Sequence, residues 1–242
     1  MKKCILGLVV LVMTLCSAHA QRLPIQVSGD FRFNEENGRA TILGFTSRAE
    51  ERLFAEGTIN LVIPDRINDF PVTAIGDHAF NESQLASVTI PNSVTSIGRY
   101  AFSKNQLTSV TIPDSVTKIG QRAFFNTQLT KVTIGNGVTE IGNGAFGNNQ
   151  LSSVIVPNNV ITIGNYAFDS NQLTSLTLGN SVTTINVGAF RGNMLTSVTI
   201  PDSVTTIVDE AFTDNLITSV TVPGSATVPR SAFDDGVRIT RQ

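Results

Sequence analysis

The chain has 242 residues, 41% of them hydrophobic and 15% charged, which is the balance of a folded domain and excludes a disordered chain. The formal net charge is −2, and no basic run supplies the footprint that phosphate backbones require, so nucleic acid is excluded as the expected partner.

Residues 1-20, MKKCILGLVVLVMTLCSAHA, join a lysine pair, an apolar run from Ile5 to Leu15 and the small-x-small pattern Ala18-His19-Ala20. This reads as a Sec-type signal peptide cut after Ala20. Losing Lys2 and Lys3 takes the 17 basic residues to 15 against 19 acidic ones, or −4. Lipidation at Cys16 is the competing reading, but Leu15 stands where a lipoprotein signal wants a small residue. Cys4 and Cys16 are the only two cysteines, so the processed chain must be held by burial and hydrogen bonding. No later apolar stretch approaches the roughly 20 residues of a membrane span. The expected location is extracellular or at the cell surface, with the periplasm as the alternative.

Residues 21-58 are expected to form an N-terminal cap. In DFRFNEENGRATILGF (30–45), Asn37-Gly38 between two alternating runs is a strong hairpin signal. Glu35, Glu36, Glu50, Glu51 and Glu56 crowd this region beside Arg39, Arg48 and Arg52, a mixture that reads as a solvated rim.

From residue 59 to 242 the chain repeats. Phe80, Phe102, Phe124, Phe146, Phe168, Phe190 and Phe212 stand 22 residues apart, each preceded by Ala, and Phe233 comes one residue early. The unit is N-Q-L-T-S-V-T-I-P-x-S-V-T-x-I-G-x-x-A-F-x-x. Alternation in LTSVTIP predicts a short strand with one buried face, ended by Pro113. SVTKIG adds Val116 and Ile119 on a return leg, and Gly120 punctuates before Ala123-Phe124. Each coil thus sends Leu107, Val110, Ile112, Val116, Ile119, Ala123 and Phe124, or their equivalents, inward. One coil cannot offset its own conformational entropy, so coils must stack. The predicted architecture is a β-rich solenoid with right-handed 22-residue coils and parallel short strands. At the far end Ala226 replaces Val, a residue is lost before Phe233, and VRIT (237–240) supplies a last strand.

The pattern L-x-x-V-x-I-P-x-S-V-x-x-I-G-x-x-A-F resembles the leucine-rich repeats of the BspA-like family of bacterial cell-surface proteins, from Ile59 to the end. The lead-in NLVIPDRINDFPVTAIGDHAF (60–80) is similar to that family's first coil, with an insertion separating Pro64 from Val72. The resemblance implies a leucine-rich-repeat solenoid, and attachment to host matrix proteins or other bacteria. Where the family often carries Cys three residues after the Phe, this chain has Ser83, Asn105, Thr127, Asn149, Asn171, Asn193 and Asn215. Inward amides need partners, so these are expected to bond the backbones of neighbouring coils.

A repeat lays like groups out in rows, whereas catalysis needs unlike groups at one point. His78 is the only histidine after residue 20 and has no partner at metal-ligand spacing; no Gly-x-Ser-x-Gly motif occurs. No enzyme, cofactor or metal is therefore expected. Asn81-Glu82-Ser83 fits a glycosylation sequon and reads as coincidence. Two rows are candidate binding surfaces. One is the outward side of the long sheet, expected to be concave, with the columns Ser109, Lys131 and Thr111, Thr133, Ile155, Thr177, Thr199. The structural alternative is that Thr and Ser suit a parallel ladder and donate to each other. The other row precedes the Ala-Phe pair and includes Arg99, Tyr100, Arg122 and Tyr166, residue types that interfaces enrich. The expected function is a secreted or surface-displayed, non-enzymatic binding module, an adhesin for an extracellular protein or cell-surface macromolecule. The alternatives are a self-associating structural or periplasmic scaffold, and a glycan or ice binder acting through the Ser/Thr columns.

Overall fold

The computed structural model describes residues 26–57 and 59–242. The signal-peptide reading, with Cys4 and Cys16, lies outside the described residues. Strands β1 (Gln26–Ser28), β2 (Phe31–Glu36) and β3 (Arg39–Phe45) form an antiparallel cap. The turn joining β2 to β3 is the expected Asn37-Gly38 pair, with φ of 52° and 72°, which matches the right-handed strand twist. Helix α1 (Ser47–Glu56) comes next and is not anticipated by the sequence reading; Thr46 caps it by accepting from Ala49 N at 3.1 Å, and Gly57 ends it.

β4 (Ile59–Val62) opens the first coil. The insertion after Pro64 folds into its own small hairpin, in which β5 (Arg66–Ile67) pairs antiparallel with the start of β6 (Phe70–Ile75). The other end of β6 pairs parallel with β3 and with Ser96–Ile97. The cap and the solenoid are thus one continuous sheet.

Each coil has three segments: a first leg (Leu107 to Pro113 in one copy), a second leg (Ser115 to Gly120) and the Ala-Phe turn. The inward set is as predicted, with Leu107, Val116, Ile119, Ala123 and Phe124 fully buried. Phenylalanines from Phe80 to Phe233 stack face to face, with ring centroids 5.2–5.6 Å apart and planes within 14°. Aromatic pairs favour such offset stacking. Phe45 closes the stack at the cap, its ring 5.0 Å from Phe80 and edge-on to it.

The long sheet runs through the second leg, not the first as expected. Ser96–Ile97, Lys118–Ile119, Glu140–Ile141, Thr162–Ile163, Thr184–Ile185 and Thr206–Ile207 pair in parallel register without a break. First-leg strands pair two by two: Ser109–Thr111 with Lys131–Thr133, and Ser153–Ile155 with Ser175–Thr177. Ile59–Val62 pairs likewise with Leu85–Thr89, and the two regular pairs share a feature at the strand end. Pro113 and Pro157 are succeeded one coil later by Gly135 and Gly179, whose missing side chains admit the proline backbone. A Cβ at Gly135 would lie 2.4 Å from Pro113 O, and one at Gly179 would lie 2.2 Å from Pro157 O. The last strand, Arg238–Arg241, pairs parallel with Ser219–Val222 and ends the stack as expected from VRIT.

Candidate binding surfaces

The buried amides behave as predicted. Asn149 donates through Nδ2 to Phe124 O (2.8 Å) in the preceding coil and to Phe146 O (3.0 Å) in its own, while Oδ1 accepts from Leu129 N (2.9 Å). Asn105, Asn171, Asn193 and Asn215 repeat this bridge. Ser83 and Thr127 are too short to do so. Thr127 Oγ1 reaches only Phe124 O (3.1 Å) and Asn149 Oδ1 (2.9 Å), and Ser83 Oγ meets Asn81 O (3.4 Å). With Ser83 only 6% exposed, the hydroxyl of the sequon is buried.

On the first leg Ser109 and Thr111 lie directly opposite Lys131 and Thr133, and Ser153 and Ile155 lie opposite Ser175 and Thr177. All these side chains, and Thr199 beyond them, are exposed. Ile155 is 70% exposed, so its apolar surface is offered to solvent within a hydroxyl column. The hydroxyls do not chiefly bond one another. Thr130 and Thr174, one residue before the Ser column, donate to the carbonyls of Thr108 (3.1 Å) and Ser152 (3.3 Å) in the preceding coil. Thr221 and Thr240, 2.9 Å apart, are a hydroxyl pair. Toward the C-terminal end this face deepens into a groove of about 350 Å³ that includes Thr199, Ser219, Thr221 and Arg238.

The second row lies on the Ala-Phe turn, a separate segment of each coil, so the structure does not bring the two candidate rows together. Tyr100, Arg122 and Tyr166 have φ of 53–56°, in the left-handed region that few non-glycine residues enter. This geometry points alternate N–H groups at the next coil: Tyr100 N bonds Gln121 O (2.9 Å) and Phe102 N bonds Ala123 O (2.8 Å). It also stacks the row along the axis. His78 lies 4.8 Å from Tyr100 with rings 11° from parallel. Arg122 sits over Tyr100 at 5.7 Å and donates from Nη1 to its hydroxyl at 3.1 Å. Tyr100 is therefore enclosed between two neighbours. Arg99 is exposed, its N–H taken by Asp77 Oδ1 at 2.7 Å. Tyr166 is 37% exposed, with Arg191 over its ring at 5.1 Å. Sequence reasoning missed Arg191. It donates to Asp169 Oδ1 (2.8 Å) and Glu210 Oε2 (3.2 Å), and the Asp169 bond pushes its guanidinium above the ordinary value.

Among the described residues no three His, Cys, Asp or Glu side chains form a metal-holding group, and no helix is long and apolar enough to cross a membrane.

Stacked parallel coils of 22 residues, with buried Leu, Val and Ile at fixed offsets and a bonded asparagine ladder, define a leucine-rich-repeat solenoid. The sequence of the BspA type leucine rich repeat region matches residues 59–173 and 117–240 in six copies, and the chain belongs to that family. Among solved structures, a leucine-rich repeat protein from Bacteroides ovatus shares 22% identity at a TM-score of 0.65, over 89% of this chain and 67% of that one. A leucine rich cell surface protein from Faecalibacterium prausnitzii shares 19% identity at a TM-score of 0.35, over 92% of this chain and 96% of that one. The pneumococcal vaccine antigen PcpA shares 16% identity at a TM-score of 0.46, over 92% of this chain and 89% of that one. No curated protein matches the chain in sequence.

Proposed function

We propose that this chain is an exported, surface-displayed binding module without catalytic activity, which attaches to an extracellular protein or cell-surface macromolecule. The observation that carries the reading is the first-leg face, where exposed side chains stand in register within each strand pair, Ser109 beside Lys131 and Thr111 beside Thr133, then Ser153 beside Ser175 and Ile155 beside Thr177. Their backbone is committed to neighbouring coils, so the outward atoms are free for a partner that is itself extended. Single contacts would be weak, and clustering of the display would supply the avidity. Membership of a family resembling bacterial surface proteins supports the location.

The test is a pull-down with residues 21–242 against extracellular-matrix proteins and intact bacterial and host cells. Retention of a ligand, weakened when Lys131 and Ile155 are changed, is the expected result; retention of nothing sinks the adhesin reading. Mass spectrometry of the mature N-terminus checks export: Gln21 first means cleaved and released, and acylated Cys16 means anchored.

A further inference from the structure

We propose that the second leg carries a glycan-binding groove, in which Gln121, Asn143 and Asn165 read the hydroxyls of a neutral, extended oligosaccharide at one sugar per coil. This rests on the binding-module reading above but places the ligand on a different segment from the Ser/Thr columns.

The groove has a volume of about 310 Å³ and spans coils from Arg99 to Asn186. Its floor is bare because Gly120, Gly142 and Gly164 press on the coil before. A Cβ at any of them would lie 2.6–2.7 Å from the nearest atom there. The walls are amides. Gln121 and Asn165 make no side-chain hydrogen bond to the protein among the described residues, and Asn143 uses only Oδ1, accepting from Asn165 N at 2.9 Å. Asn186 Nδ2 bonds Ile163 O at 2.8 Å and leaves its oxygen at the groove's end. An amide donates and accepts at once, which suits it to neighbouring sugar hydroxyls.

Charge and backbone narrow the ligand class. Lys118 and Glu140 on the groove wall pair at 3.0 Å, so the central stretch offers neither an anion nor a cation an unmatched partner, and the one unpaired charge of the lining, Arg99, stands at the groove's end before the amide row. A peptide cannot add to this sheet as a strand. Gly120 N, Gly142 N and Gly164 N already bond Ile97 O, Ile119 O and Ile141 O at 2.8–2.9 Å, and Tyr100 N, Arg122 N and Gly144 N hold the carbonyls of Gln121, Asn143 and Asn165. Recognition must therefore come from side chains. Their axial spacing is the coil repeat, about 4.8 Å, which is close to the advance of one hexose in an extended 1,4-linked chain. The amide row begins after Asp77 and Arg99 and stops before Val187 and Asp209, which limits the site to three or four sugars. Tyr100 is already stacked on both faces, so no aromatic platform adds to the amides and a single short chain binds weakly, with Kd on the order of 1 mM.

The experiment titrates residues 21–242 with β-1,4-linked glucose and N-acetylglucosamine oligomers of increasing length, read by NMR of the side-chain amides. Saturable shifts of Gln121, Asn143 and Asn165, affinity rising up to four sugars, and roughly tenfold weakening in Gln121→Ala and Asn165→Ala at unchanged melting temperature support the groove. Absence of saturable shifts, affinity indifferent to both variants, or tighter binding of an acidic oligosaccharide of equal length overturns it. Sugars failing while the pull-down still retains a protein ligand ends the glycan proposal alone; both failing ends the binding-module reading with it.

Discussion

The ring of Tyr166 occupies the space in which Gly188, one coil later, would carry a side chain: a Cβ there would lie 2.3 Å from Tyr166 Cε1 and 2.4 Å from Cδ1. Gly188 also has φ of 59°, where an alanine is strained on its own account. Gly188→Ala is expected to cost about 1–2 kcal/mol, part from backbone and part from the displaced ring. Urea unfolding of Gly188→Ala, Tyr166→Ala and the double variant separates the two. The double variant should be more stable than the sum of the singles implies, because removing the ring clears the clash. Additive losses would show that the ring is not held there.

Asn149 bridges two coils through a donor and an acceptor at once, at 7% exposure. Asn149→Leu strands the N–H groups of Thr127 and Leu129 in an apolar interior, while Phe124 O keeps its bond from Thr127 Oγ1 and Phe146 O its bond from Asn171 Nδ2. With about 1–3 kcal/mol per orphaned group, the loss should reach at least about 2 kcal/mol. Because neighbouring coils carry the stability of a solenoid, hydrogen exchange should quicken first around coils 127–151. Uniform exchange across the chain would argue that the amide is replaceable.

Thr127 is the complementary case. It bonds within its own coil and to Asn149, so the bridge from this coil back to Phe102 O is missing. Thr127→Asn should restore it and raise stability by about 1 kcal/mol, seen as a higher urea midpoint with an unchanged slope. A lower midpoint would mean that the hydroxyl's bond to Asn149 outweighs the ladder.

The phenylalanine ruler, the inward set, the Asn37-Gly38 turn and the asparagine ladder are legible in the sequence because each depends on residue type at a fixed offset. Helix α1 is not, although Thr46, Ala49 and Gly57 explain its ends; the charges of Glu50, Glu51 and Arg52 look equally like a solvated rim. The two-by-two pairing of first-leg strands, with the close approach of Pro113 to Gly135 and of Pro157 to Gly179, depends on two backbones, which no single repeat displays. The row of Tyr100, Arg122 and Tyr166 stands out by composition. Its stacking arises from left-handed backbone at those positions, which residue identity does not announce.

Glu82 and Lys104 occupy equivalent left-handed positions in successive coils and pair at 2.7 Å. The hydrogen bond from Lys104, then its charge, with a smaller share from Asn81, holds the Glu82 carboxyl below its ordinary value of 4.5. A carboxyl depressed in the folded state favours folding above its unfolded pKa, and that contribution is lost as pH falls through the folded value. Both side chains are more than half exposed, so the effect on global stability should be small. The measurable consequence is local. In a carbon-detected titration Glu82 should protonate below its ordinary value, and Lys104→Met should return it toward that value; an unmoved Glu82 in that variant would assign the shift elsewhere.

Lys131 and Ile155 interrupt otherwise uniform Ser and Thr columns on the first leg, and neither has a structural reason to be there. Ile155 is 70% exposed and its opposite neighbour is Thr177, so an isoleucine gains little by packing. Lys131 faces Ser109, with no acidic partner across the strand. Replacing both by the column residue, Lys131→Ser and Ile155→Thr, should leave the urea midpoint within about 0.5 kcal/mol of the parent, the range of ordinary surface changes. If this face binds, the same double variant should lose most of the ligand retained in the pull-down. A stability loss well above that range would make both residues structural, and retention without loss would move the contact off this face to the row of Arg99, Tyr100 and Tyr166 or to the second-leg groove.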